Sequence, residues 1–487
     1  MDAVPERFFF EEAVERFDEQ PFLIVPEGTF TYGRIDQYVS ETAYRLKGAG
    51  IKKGQRIAIL APNSMAYVIL LMALWKMGAV AAPISTRLAK RQVEENLQLI
   101  RASGIILSQG HAGLHLHLFP DMCRFILEDI VPPGIIPSGK GDPESIESWT
   151  DGDATIIFTS GSSGRPKAVL HTPGNHIFSA LGSNGNIPVG PGYRWLLSLP
   201  LYHVGGLAII FRVILGGGAL AFPVSGQSME DNICELRITH VSLVSTQLYR
   251  LLKGSKDCEP LKSLKAILLG GSAIPDYLIK EGIERGLPIF KSYGSSEMAS
   301  QVTATHLNDS RPGPFSSGKL LDYRQIKIAD DNEILLKGRT LFRGYVDGKG
   351  IIRAVDDEGW FHSGDLGCLD KYGYLYVTGR KDNMFISGGE NIQPEEIEAC
   401  LAGIDNVREA VVVPVIHPEF GHRPVAFLKL ADNSNLQCHC MIKRLEEMLP
   451  RFKIPDYFFP WPGEMDRESL KPDRKLLKKV AEDLIHS

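Results

Sequence analysis

A segment rich in glycine and hydroxyl side chains follows a short apolar run in the first third of the chain. After the run ATIIF at residues 154–158, residues 159–168 spell TSGSSGRPKA. Small residues let backbone N–H groups approach phosphate oxygens closely, hydroxyls donate further hydrogen bonds, and Lys167 adds a cation. The composition is therefore typical of an anion-binding loop, and a flexible surface loop is the alternative.

This segment lacks the residues that define a Walker A loop. In that motif, Gly-Lys is followed by Ser or Thr, whose hydroxyl holds Mg²⁺. Here Pro166 precedes Lys167 and Ala168 follows it. The sequence therefore indicates phosphate binding by a different kind of loop.

Other loops rich in small residues also follow predicted strands. They are LPLYHVGG at 199–206, GGS at 270–272 and YGSSE at 293–297. In an open α/β sheet, ligands bind beyond the carboxyl ends of the strands. We therefore expect these loops to line one shared crevice.

The elements that would position these loops alternate along the chain. Up to about residue 290, short apolar runs such as RIAIL at 56–60 alternate with helical patterns at 34–48, 64–77 and 91–102. This alternation predicts mostly parallel sheets covered by helices. Beyond residue 310, strand-like pieces are separated by turns rich in Asp, Asn and Gly, which predict an antiparallel, β-rich region.

The sequence pattern changes again after GRKD at 379–382. The remainder predicts a small α+β unit with a helix at 394–401, strands at 407–415 and 423–430, and an amphipathic helix near 439–449. We therefore place a domain junction near residue 380, between an N-terminal domain of residues 1–381 and a C-terminal domain of residues 382–487.

The whole sequence has the composition of a folded protein. It has 487 residues, of which 44% are hydrophobic and 23% charged, and its formal net charge is −5. Without a basic excess, binding to nucleic acid or to a membrane surface by charge is disfavoured. Seven scattered cysteines argue against a disulfide scaffold, and the longest apolar run, residues 67–75, is too short to span a bilayer. We therefore expect a cytoplasmic protein with no membrane span and no nucleic-acid partner.

Taken in order, these segments resemble one known superfamily. Three more complete the set: WFHSGD at 360–365, GRKD at 379–382 and SGGEN at 387–391. In this order and spacing, they resemble the adenylate-forming superfamily, which includes acyl-CoA synthetases, adenylation domains and beetle luciferases. The resemblance spans nearly the whole chain.

Within that superfamily, three stretches are most similar to the o-succinylbenzoate–CoA ligases of menaquinone biosynthesis. They are HTPGNH at 171–176 with Ser179 and Ala180, LPLYHVGGL at 199–207 and SEMASQ at 296–301. The resemblance implies an ATP-dependent acid–CoA ligase that works through an acyl-adenylate. Its expected reaction converts o-succinylbenzoate, ATP and coenzyme A into o-succinylbenzoyl-CoA, AMP and pyrophosphate, with Mg²⁺ as cofactor.

The resemblance also implies an architecture. In the superfamily, a large α/β N-terminal domain of parallel and mixed sheets, with covering helices and a β-rich subdomain, binds ATP and the acid. A small, mobile α+β domain follows it. This assigns residues 1–381 to ATP and acyl binding and residues 382–487 to the mobile domain, with a hinge at Asp382. The expected partners are a small carboxylic acid, ATP and CoA, and a homo-oligomer is left open.

Carried over position by position, the resemblance assigns the ATP site. Ser296 and Glu297 would contact the α-phosphate and Mg²⁺, with Glu297 as the metal ligand. Asp365 would accept hydrogen bonds from the ribose hydroxyls, and Arg380 would reach the ribose from the other side. The remaining nucleotide contacts would come from Thr159, Ser160, Gly161, Ser162, Ser163, Gly164, Lys167, Gly270, Gly271, Ser272, Tyr293, Gly294 and Ser295.

The resemblance implies a mobile catalytic lysine near the C-terminus, directly after a glycine. Lys475 matches that position best, although Arg474 replaces the glycine, and Lys471 is the alternative. The lysine would stabilise charge in the first transition state. After rotation of the small domain, Gly388 and Gly389 would face the crevice, where the absence of side chains lets the pantetheine arm of CoA pass.

Two residues are candidates for binding the acid. His203 would close the pocket of the reacting carboxylate, and a core histidine is the alternative. Arg212 lies nine residues later in 206–215, a segment that is otherwise apolar and helical in period. Because an unpaired buried guanidinium is costly, this side chain either reaches solvent or meets an anion. That anion would be a structural Asp or Glu or, by the resemblance, the aromatic carboxylate of o-succinylbenzoate.

Three other functions stay open at this point. The chain could be a CoA ligase for another aromatic or medium-chain acid, or a free-standing adenylation enzyme that loads a carrier protein. A catalytically silent nucleotide-binding regulator is an alternative from a different class. The presence of Glu297, Asp365, Arg380 and Lys475 disfavours the silent regulator.

Overall fold

Helices and strands alternate through the first part of the chain, as the sequence pattern predicts. The structure is a computed structural model that describes residues 7–114, 119, 122–131, 152–160, 166–254, 261–271, 274–307, 315–404, 406–430, 438–462 and 473–486. Its α-helices are α1 (Phe9–Phe17), α2 (Tyr32–Gly48), α3 (Met65–Lys76), α4 (Lys90–Ile100), α5 (Leu127–Ile130), α6 (Pro173–Asn186), α7 (Val204–Gly216), α8 (Met229–Glu235), α9 (Ser245–Gly254), α10 (Asp276–Glu284), α11 (Pro394–Ala402), α12 (Cys438–Glu446) and α13 (Arg474–His486).

A strand precedes each predicted loop, and further strands form the β-rich region. They are β1 (Pro21–Val25), β2 (Gly28–Thr31), β3 (Arg56–Leu60), β4 (Val80–Pro83), β5 (Gly104–Leu107), β6 (Cys123–Ile126), β7 (Thr155–Ser160), β8 (Pro166–His171), β9 (Arg194–Leu196), β10 (Ala219–Ala221), β11 (His240–Leu243), β12 (Ala266–Leu269), β13 (Ile289–Ser295), β14 (Ser300–Ala304), β15 (Lys319–Leu320), β16 (Arg324–Ile328), β17 (Glu333–Gly338), β18 (Gly344–Val346), β19 (Ile351–Ile352), β20 (Phe361–Leu369), β21 (Leu375–Arg380), β22 (Phe385–Ser387), β23 (Glu390–Ile392), β24 (Val407–His417), β25 (Gly421–Leu430) and β26 (Tyr457–Pro460).

The candidate phosphate loop belongs to a mixed sheet. Over the described residues, this sheet has eight strands in the order β19-β18-β8-β7-β4-β3-β5-β6. Strands β7, β4, β3, β5 and β6 pair in parallel. Strand β8 returns antiparallel to β7 and carries β18 on its other side. The loop therefore connects two adjacent strands at the end of the parallel part.

A second sheet carries the other predicted loops. Counted over the described ranges, it has nine strands in the order β15-β14-β13-β12-β11-β9-β10-β1-β2. The strands from β13 to β1 pair in parallel, and β14 runs antiparallel to β13. The loops after β9, β12 and β13 lie at carboxyl ends, as predicted. The loop after β9 is shorter than the predicted 199–206, because α7 already begins at Val204.

Local sequence explains the two helices nearest these loops. Helix α6 begins with a capping box, in which Asn175 N–H donates to the Thr172 hydroxyl and Thr172 N–H donates to Asn175 Oδ1. Pro173 occupies the first turn, where no donor is needed. Apart from Arg212, helix α7 is apolar on every side, as is typical of a buried helix, and Gly217, with a φ of +76°, caps its C-terminus.

The β-rich region is antiparallel, as predicted. Strands β16, β17, β20 and β21 form one antiparallel sheet. Strands β18 and β19 come from the same stretch of sequence but extend the eight-stranded sheet instead. The α/β class with mixed sheets and covering helices is thus confirmed.

The C-terminal part has its own core. Strands β24, β25 and β26 form a sheet with helices on both faces. Val411 and Val413 pack with Leu477 of α13, whereas Val412 faces the other side and packs with Ile397 of α11, as the two-residue period of a strand requires. The predicted α+β elements are present, and the exact domain boundary at residue 382 stays a prediction.

Two general expectations, on membrane spans and on disulfides, are compared with the structure here. Within the described residues, no helix combines the length and the apolarity needed to cross a membrane. The described cysteines, Cys123, Cys234, Cys368 and Cys400, carry free thiols.

Candidate active site

The predicted phosphate loop is the connection of a tight hairpin. Thr159 pairs with Lys167 and Ser160 with Pro166 across β7 and β8, so the ends of the predicted loop are strand residues. The Lys167 ammonium lies 5.0 Å from the centre of the Tyr345 ring. Several predicted residues lie outside the described ranges, namely Gly161, Ser162, Ser163, Gly164, Ser272 and Lys471.

Ser296 and Glu297 form a short 3₁₀ turn directly after β13. The His171 ring donates from Nε2 to the Ser296 carbonyl at 2.7 Å. Burial lowers the pKa of His171 to about 4, so the ring is neutral at neutral pH. On the other side, Phe342 N–H donates to the Glu297 carbonyl at 2.7 Å. The turn that presents both predicted residues is therefore fixed from two directions.

The Glu297 carboxylate has one fixed oxygen. The Tyr345 hydroxyl donates to Glu297 Oε1 at 2.7 Å. Burial, followed by the nearby Glu297 charge, raises the pKa of Tyr345, so its hydroxyl keeps its proton. No cluster of three potential metal ligands occurs within the described part of the chain. A single carboxylate nevertheless fits Mg²⁺, because this ion usually takes one or two carboxylates and completes its shell with nucleotide phosphates and water.

Asp365, Arg380 and Tyr293 form a second polar group. Arg380 Nη1 donates to Asp365 Oδ1 at 2.9 Å, and the Tyr293 hydroxyl donates to Oδ2 at 2.7 Å. Burial and then the Asp365 charge raise the pKa of Tyr293. Because Asp365 lies on β20 and Tyr293 on β13, this group joins two sheets. A carboxylate with four acceptor positions can accept ribose hydroxyls in addition to these two donors.

The glycines in these loops are needed for different structural reasons. Gly270 and Gly271 follow β12, and Gly271 has a left-handed φ of +89°. A Cβ at Gly294 would collide with the Ser300 backbone, so the packing of β13 on β14 already requires that glycine. The Ser295 hydroxyl is buried and makes no hydrogen bond within the described residues.

Arg212 is buried inside α7, and its hydrogen-bond partners among the described residues are neutral. It is 1% exposed. Its Nη2 group donates to Ser300 Oγ at 2.9 Å and to Gln301 Oε1 at 3.0 Å, and its guanidinium lies 5.4 Å from the Trp195 ring centre. Burial lowers the pKa of Arg212 to about 9. Among the described residues it has no carboxylate partner, so the expected structural Asp or Glu is not found there.

A second buried guanidinium lies on the other side of Gln301. Arg324 Nε donates to the Gln301 carbonyl at 2.7 Å, and its Nη2 donates to the Ser179 carbonyl at 3.0 Å. Burial and then the Arg212 charge lower the pKa of Arg324 to about 9. Two buried positive charges therefore lie beside Gln301.

His203 lies at the other end of the same helix. It is the residue before α7, is half-buried, and its ring centre lies 4.7 Å from that of Tyr202. The nine residues from His203 to Arg212 correspond to about 13 Å along the helix axis. One helix thus carries both predicted acid-binding residues at well-separated positions.

The candidate catalytic lysine of the C-terminal part makes no described contact with the site residues above. Lys475 is exposed near the start of α13, and no hydrogen bond or ion pair joins it to the described site residues. Arg474 binds Glu398 at 2.7 Å and the Val412 carbonyl at 2.7 Å. The residue that replaces the expected glycine therefore attaches α13 to α11 and β24.

The remaining small-domain residues are turn residues in this arrangement. Gly388 and Gly389 have φ of +58° and +88° and form the two-residue turn between β22 and β23, exposed to solvent. Asp382 lies in an exposed 3₁₀ turn and binds Arg380 at 3.2 Å. Within the described residues, Asp382 thus contacts Arg380, one of the two residues expected to bind the ribose. The turn of Gly388 and Gly389 does not.

Among the residues that sequence reasoning missed, three form side-chain hydrogen bonds with predicted site side chains. They are Tyr345, which binds Glu297, and Ser300 and Gln301, which bind Arg212. Ser300 has an unusual φ of +126°, and such strain tends to occur at functional sites. The string SEMASQ was the one available signal for the last two.

Comparison with known proteins agrees with this architecture. Residues 10–346 match the family model of AMP-binding enzymes, and residues 396–464 match that of the AMP-binding enzyme C-terminal domain. The 2-succinylbenzoate–CoA ligase of Bacillus velezensis is 34% identical over 91% of this chain and 92% of that protein. The enzyme of the same name from Escherichia coli K12 is 33% identical over 91% of each chain.

Solved structures agree as well. The o-succinylbenzoate–CoA synthetase of Bacillus subtilis in complex with its acyl-adenylate intermediate matches with a TM-score of 0.85 and 29% identity, over 98% of this chain and 99% of that one. The same enzyme in complex with ATP and magnesium ion matches with a TM-score of 0.84 and 29% identity, over 93% of this chain and 96% of that one. The chain therefore belongs to the family of AMP-binding enzymes that includes these 2-succinylbenzoate–CoA ligases.

Proposed function

We propose that the chain catalyses the ligation of o-succinylbenzoate to CoA, with ATP converted into AMP and pyrophosphate, as a step of menaquinone biosynthesis. Membership of the family supports the reaction type. The observation that carries the choice of acid is Arg212, a buried guanidinium whose described partners are a hydroxyl and an amide. A substrate with a second carboxylate supplies the missing anion, whereas a simple aromatic or medium-chain acid does not.

In this proposal the nucleotide binds across the crevice between the sheets. Lys167 and the loop before it bind the β- and γ-phosphates, and Ser296 contacts the α-phosphate. Asp365 and Arg380 hold the ribose. Residues 270–272 and 293–295 flank the adenine, which lies against the carboxyl ends of β12 and β13.

Glu297 is the proposed protein ligand of Mg²⁺. When bound, the ion neutralises charge on the phosphates and polarises the phosphorus under attack. The protein contributes the orientation of the carboxylate, since the turn at 296–298 is fixed by His171 and Phe342.

The first step forms the acyl-adenylate. The aliphatic carboxylate of the acid attacks the α-phosphorus, and pyrophosphate leaves. His203 closes the pocket beside that carboxylate, and Lys475 stabilises the negative charge that accumulates in the transition state. Arg212 meanwhile pairs with the aromatic carboxylate, which fixes the acid in one orientation.

The second step forms the thioester. The CoA thiolate attacks the acyl carbonyl, and AMP leaves. No hydrogen bond or ion pair joins Lys475 to the described site residues. We propose that the two steps use different positions of the small domain, which begins at residue 382 and turns about Asp382. In the second position the turn of Gly388 and Gly389 would line the path of the pantetheine arm.

Two broader proposals follow from the substrates. ATP and CoA are cytoplasmic metabolites, and the described cysteines carry free thiols, as is usual in a reducing compartment. We therefore propose a cytoplasmic enzyme whose partners are these small molecules.

Exchange of labelled pyrophosphate into ATP tests the proposal across a panel of acids. We expect exchange with o-succinylbenzoate to exceed that with 3-benzoylpropionate, which lacks the aromatic carboxylate, by at least about 100-fold. CoA should then release AMP and o-succinylbenzoyl-CoA. ADP and phosphate as products would overturn the proposal, because they indicate attack at the γ-phosphorus.

The same panel separates the alternatives. A stronger signal with another acid would identify a CoA ligase of different specificity. Exchange without any CoA thioester would identify a carrier-loading enzyme. ATP binding without exchange for any acid would identify a silent regulator.

A further inference from the structure

We propose that Tyr345 is a positioning residue for adenylate formation, which orients Glu297 toward Mg²⁺ and couples it to Lys167. This inference rests on the proposed function, because it assigns Glu297 to the metal and Lys167 to the phosphates. Tyr345 belongs to none of the motifs that carry the family resemblance. Its case rests on four contacts that converge on one side chain and its strand.

The first contact restrains the carboxylate. The Tyr345 hydroxyl donates to Glu297 Oε1 at 2.7 Å, and within the described residues Oε2 has no hydrogen-bond partner. A carboxylate held through one oxygen presents the other in a fixed direction. A metal ion that approaches Oε2 therefore meets a ligand that is already oriented.

The second contact restrains the backbone of the same residue. Phe342 N–H donates to the Glu297 carbonyl at 2.7 Å, and the Phe342 ring packs edge-on against Tyr345 at 4.8 Å. One short segment, residues 342–345, thus holds Glu297 at both its backbone and its carboxylate.

The third and fourth contacts lead to the phosphate lysine. Strand β18 pairs with β8 in the register Tyr345 to Val169, on the strand that carries Lys167. The Lys167 ammonium lies over the Tyr345 ring, 5.0 Å from its centre, a cation–π distance. One side chain therefore touches the metal ligand with its hydroxyl and the phosphate cation with its ring.

A phenol hydroxyl is suited to this task because it donates a hydrogen bond without carrying a positive charge. A neutral donor leaves the negative charge of Glu297 available to the cation. A lysine at this position would bind the carboxylate as well but would oppose the metal.

Tyr345→Phe is the central test, because it removes the hydroxyl and keeps the ring over Lys167. Calorimetry measures binding of the α,β-methylene analogue of ATP, which cannot release pyrophosphate, with Mg²⁺ and with EDTA. We expect Tyr345→Phe to reduce the affinity gained from Mg²⁺ by about tenfold, as for loss of a hydrogen bond to a charged group. Binding in EDTA should be unchanged.

A second variant separates ring from hydroxyl. Tyr345→Leu should lose the same metal-dependent gain and, in addition, bind the nucleotide about threefold more weakly in EDTA, because Lys167 loses its aromatic partner. Tyr372→Phe, a tyrosine that is exposed to solvent, is the control and should match the wild type in both conditions.

Kinetics and a double-mutant cycle complete the test. Tyr345→Phe should raise the Mg²⁺ concentration for half-maximal adenylation about tenfold and leave thioester formation from supplied acyl-adenylate unchanged. In a Glu297→Gln background, Tyr345→Phe should have no further effect on metal-dependent binding.

The outcomes that overturn the proposal are distinct from failure of the proposed function. A wild-type gain from Mg²⁺ in folded Tyr345→Phe would overturn it, and so would equal losses with Mg²⁺ and EDTA or an additive effect in the Glu297→Gln background. The calorimetric assay needs no acid. It therefore still tests Tyr345 if the wild type forms no adenylate from o-succinylbenzoate.

Discussion

Arg212 is buried, and the described groups that accept its hydrogen bonds are a hydroxyl and an amide. At the scale of single residues, this arrangement supports the proposal that Arg212 is a receptor for the carboxylate of the substrate. Gln301 is the decisive neighbour, since its side-chain oxygen also accepts from Ser183, and its Nε2 group is buried without a hydrogen-bond partner among the described residues. The amide thus binds the guanidinium without neutralising it.

Gln301→Glu should place a carboxylate beside Arg212 and so form an internal ion pair. The change replaces an unpartnered NH₂ group by oxygen and sets a carboxylate beside Arg212, where it competes with the substrate. We expect kcat/KM for o-succinylbenzoate to fall at least about tenfold while 3-benzoylpropionate is unaffected. Gln325→Glu, at an exposed position on β16, adds the same charge elsewhere and is the control. Equal losses for both acids would contradict the assignment.

Arg212→Ala should remove the receptor altogether. Because the aromatic carboxylate would then be buried without a partner, we expect kcat/KM for o-succinylbenzoate to fall about 100-fold or more, with little change for 3-benzoylpropionate. Thermal melts accompany the kinetics. A lower melting temperature with equal losses for both acids would show that Arg212 has a structural role only.

At this scale, the sequence predicted residues within continuous motifs and missed residues that contact them from afar. Glu297 and Asp365 belong to short strings of unusual composition. Tyr345 lies 48 residues from its partner Glu297, and Gln301 lies 89 residues from Arg212. These contacts depend on how distant strands pair, and no local sequence pattern predicts that pairing.

Helix α13 illustrates the scale of whole elements. Arg474 replaces the glycine that the family resemblance implies, and in the structure it makes specific contacts. Arg474 binds Glu398, whose pKa is raised by burial despite the arginine's opposing effect, and it binds the Val412 carbonyl. The helix that carries Lys475 is thus attached by a partly buried ion pair.

Arg474→Ala should leave Glu398 buried without its partner. Loss of one member of a fully buried pair costs about 3–5 kcal/mol, and this pair is partly exposed, so the loss should be smaller. We expect the C-terminal unit to unfold at lower temperature and α13 to exchange its amide hydrogens faster. The double variant Arg474→Ala/Glu398→Gln should recover part of this loss, because no buried charge remains. An unchanged melting curve for the single variant would contradict the role of the ion pair.

Lys475→Ala tests the task of the same helix in the reaction. We expect adenylate formation to be lost and thioester formation from supplied acyl-adenylate to be retained, because in the proposed mechanism the lysine acts only when the small domain faces the phosphates. Lys479→Ala, on the same helix, is the control. The selective defect in Lys471→Ala instead would assign the role to that residue.

Prediction of elements succeeded where the pattern is local. The apolar stretch at 67–75 became the buried helix α3, and the alternating valines of β24 face two different cores. Strands β18 and β19 come from the predicted antiparallel stretch, but β18 pairs with β8, about 175 residues earlier, and β19 pairs with β18. A strand of three residues carries too little pattern to select that edge.

At the scale of the whole molecule, three buried histidines link stability to pH. Burial lowers the pKa of His171 and of His240 to about 4, and lowers that of His176 as well. The folded state therefore binds these protons only below the pH at which the unfolded chain binds them. Their stabilising effect is complete above about pH 6.5 and is lost as the pH falls toward 4.

Chemical denaturation between pH 8 and pH 4.5 measures this effect. We expect the free energy of unfolding to be flat above about pH 7 and to fall below pH 6.5, by up to about 3 kcal/mol for each of His171 and His240. His171→Gln should reduce the slope. A free energy that stays constant down to pH 5 would contradict the neutral state of these rings.

The two neighbouring guanidiniums, Arg212 and Arg324, have a consequence for how this enzyme can change. Arg212 has no described carboxylate partner, and Arg324, which interacts with the Asp322 charge, lies close enough for the two like charges to repel. Acidic substitutions at Ser300 or Gln301 would relieve this repulsion, so selection for heat resistance alone would favour them. Under the proposed binding of the substrate's carboxylate at Arg212, the same changes would occupy its place, so an enzyme stabilised in this way would bind an internal carboxylate instead of its substrate.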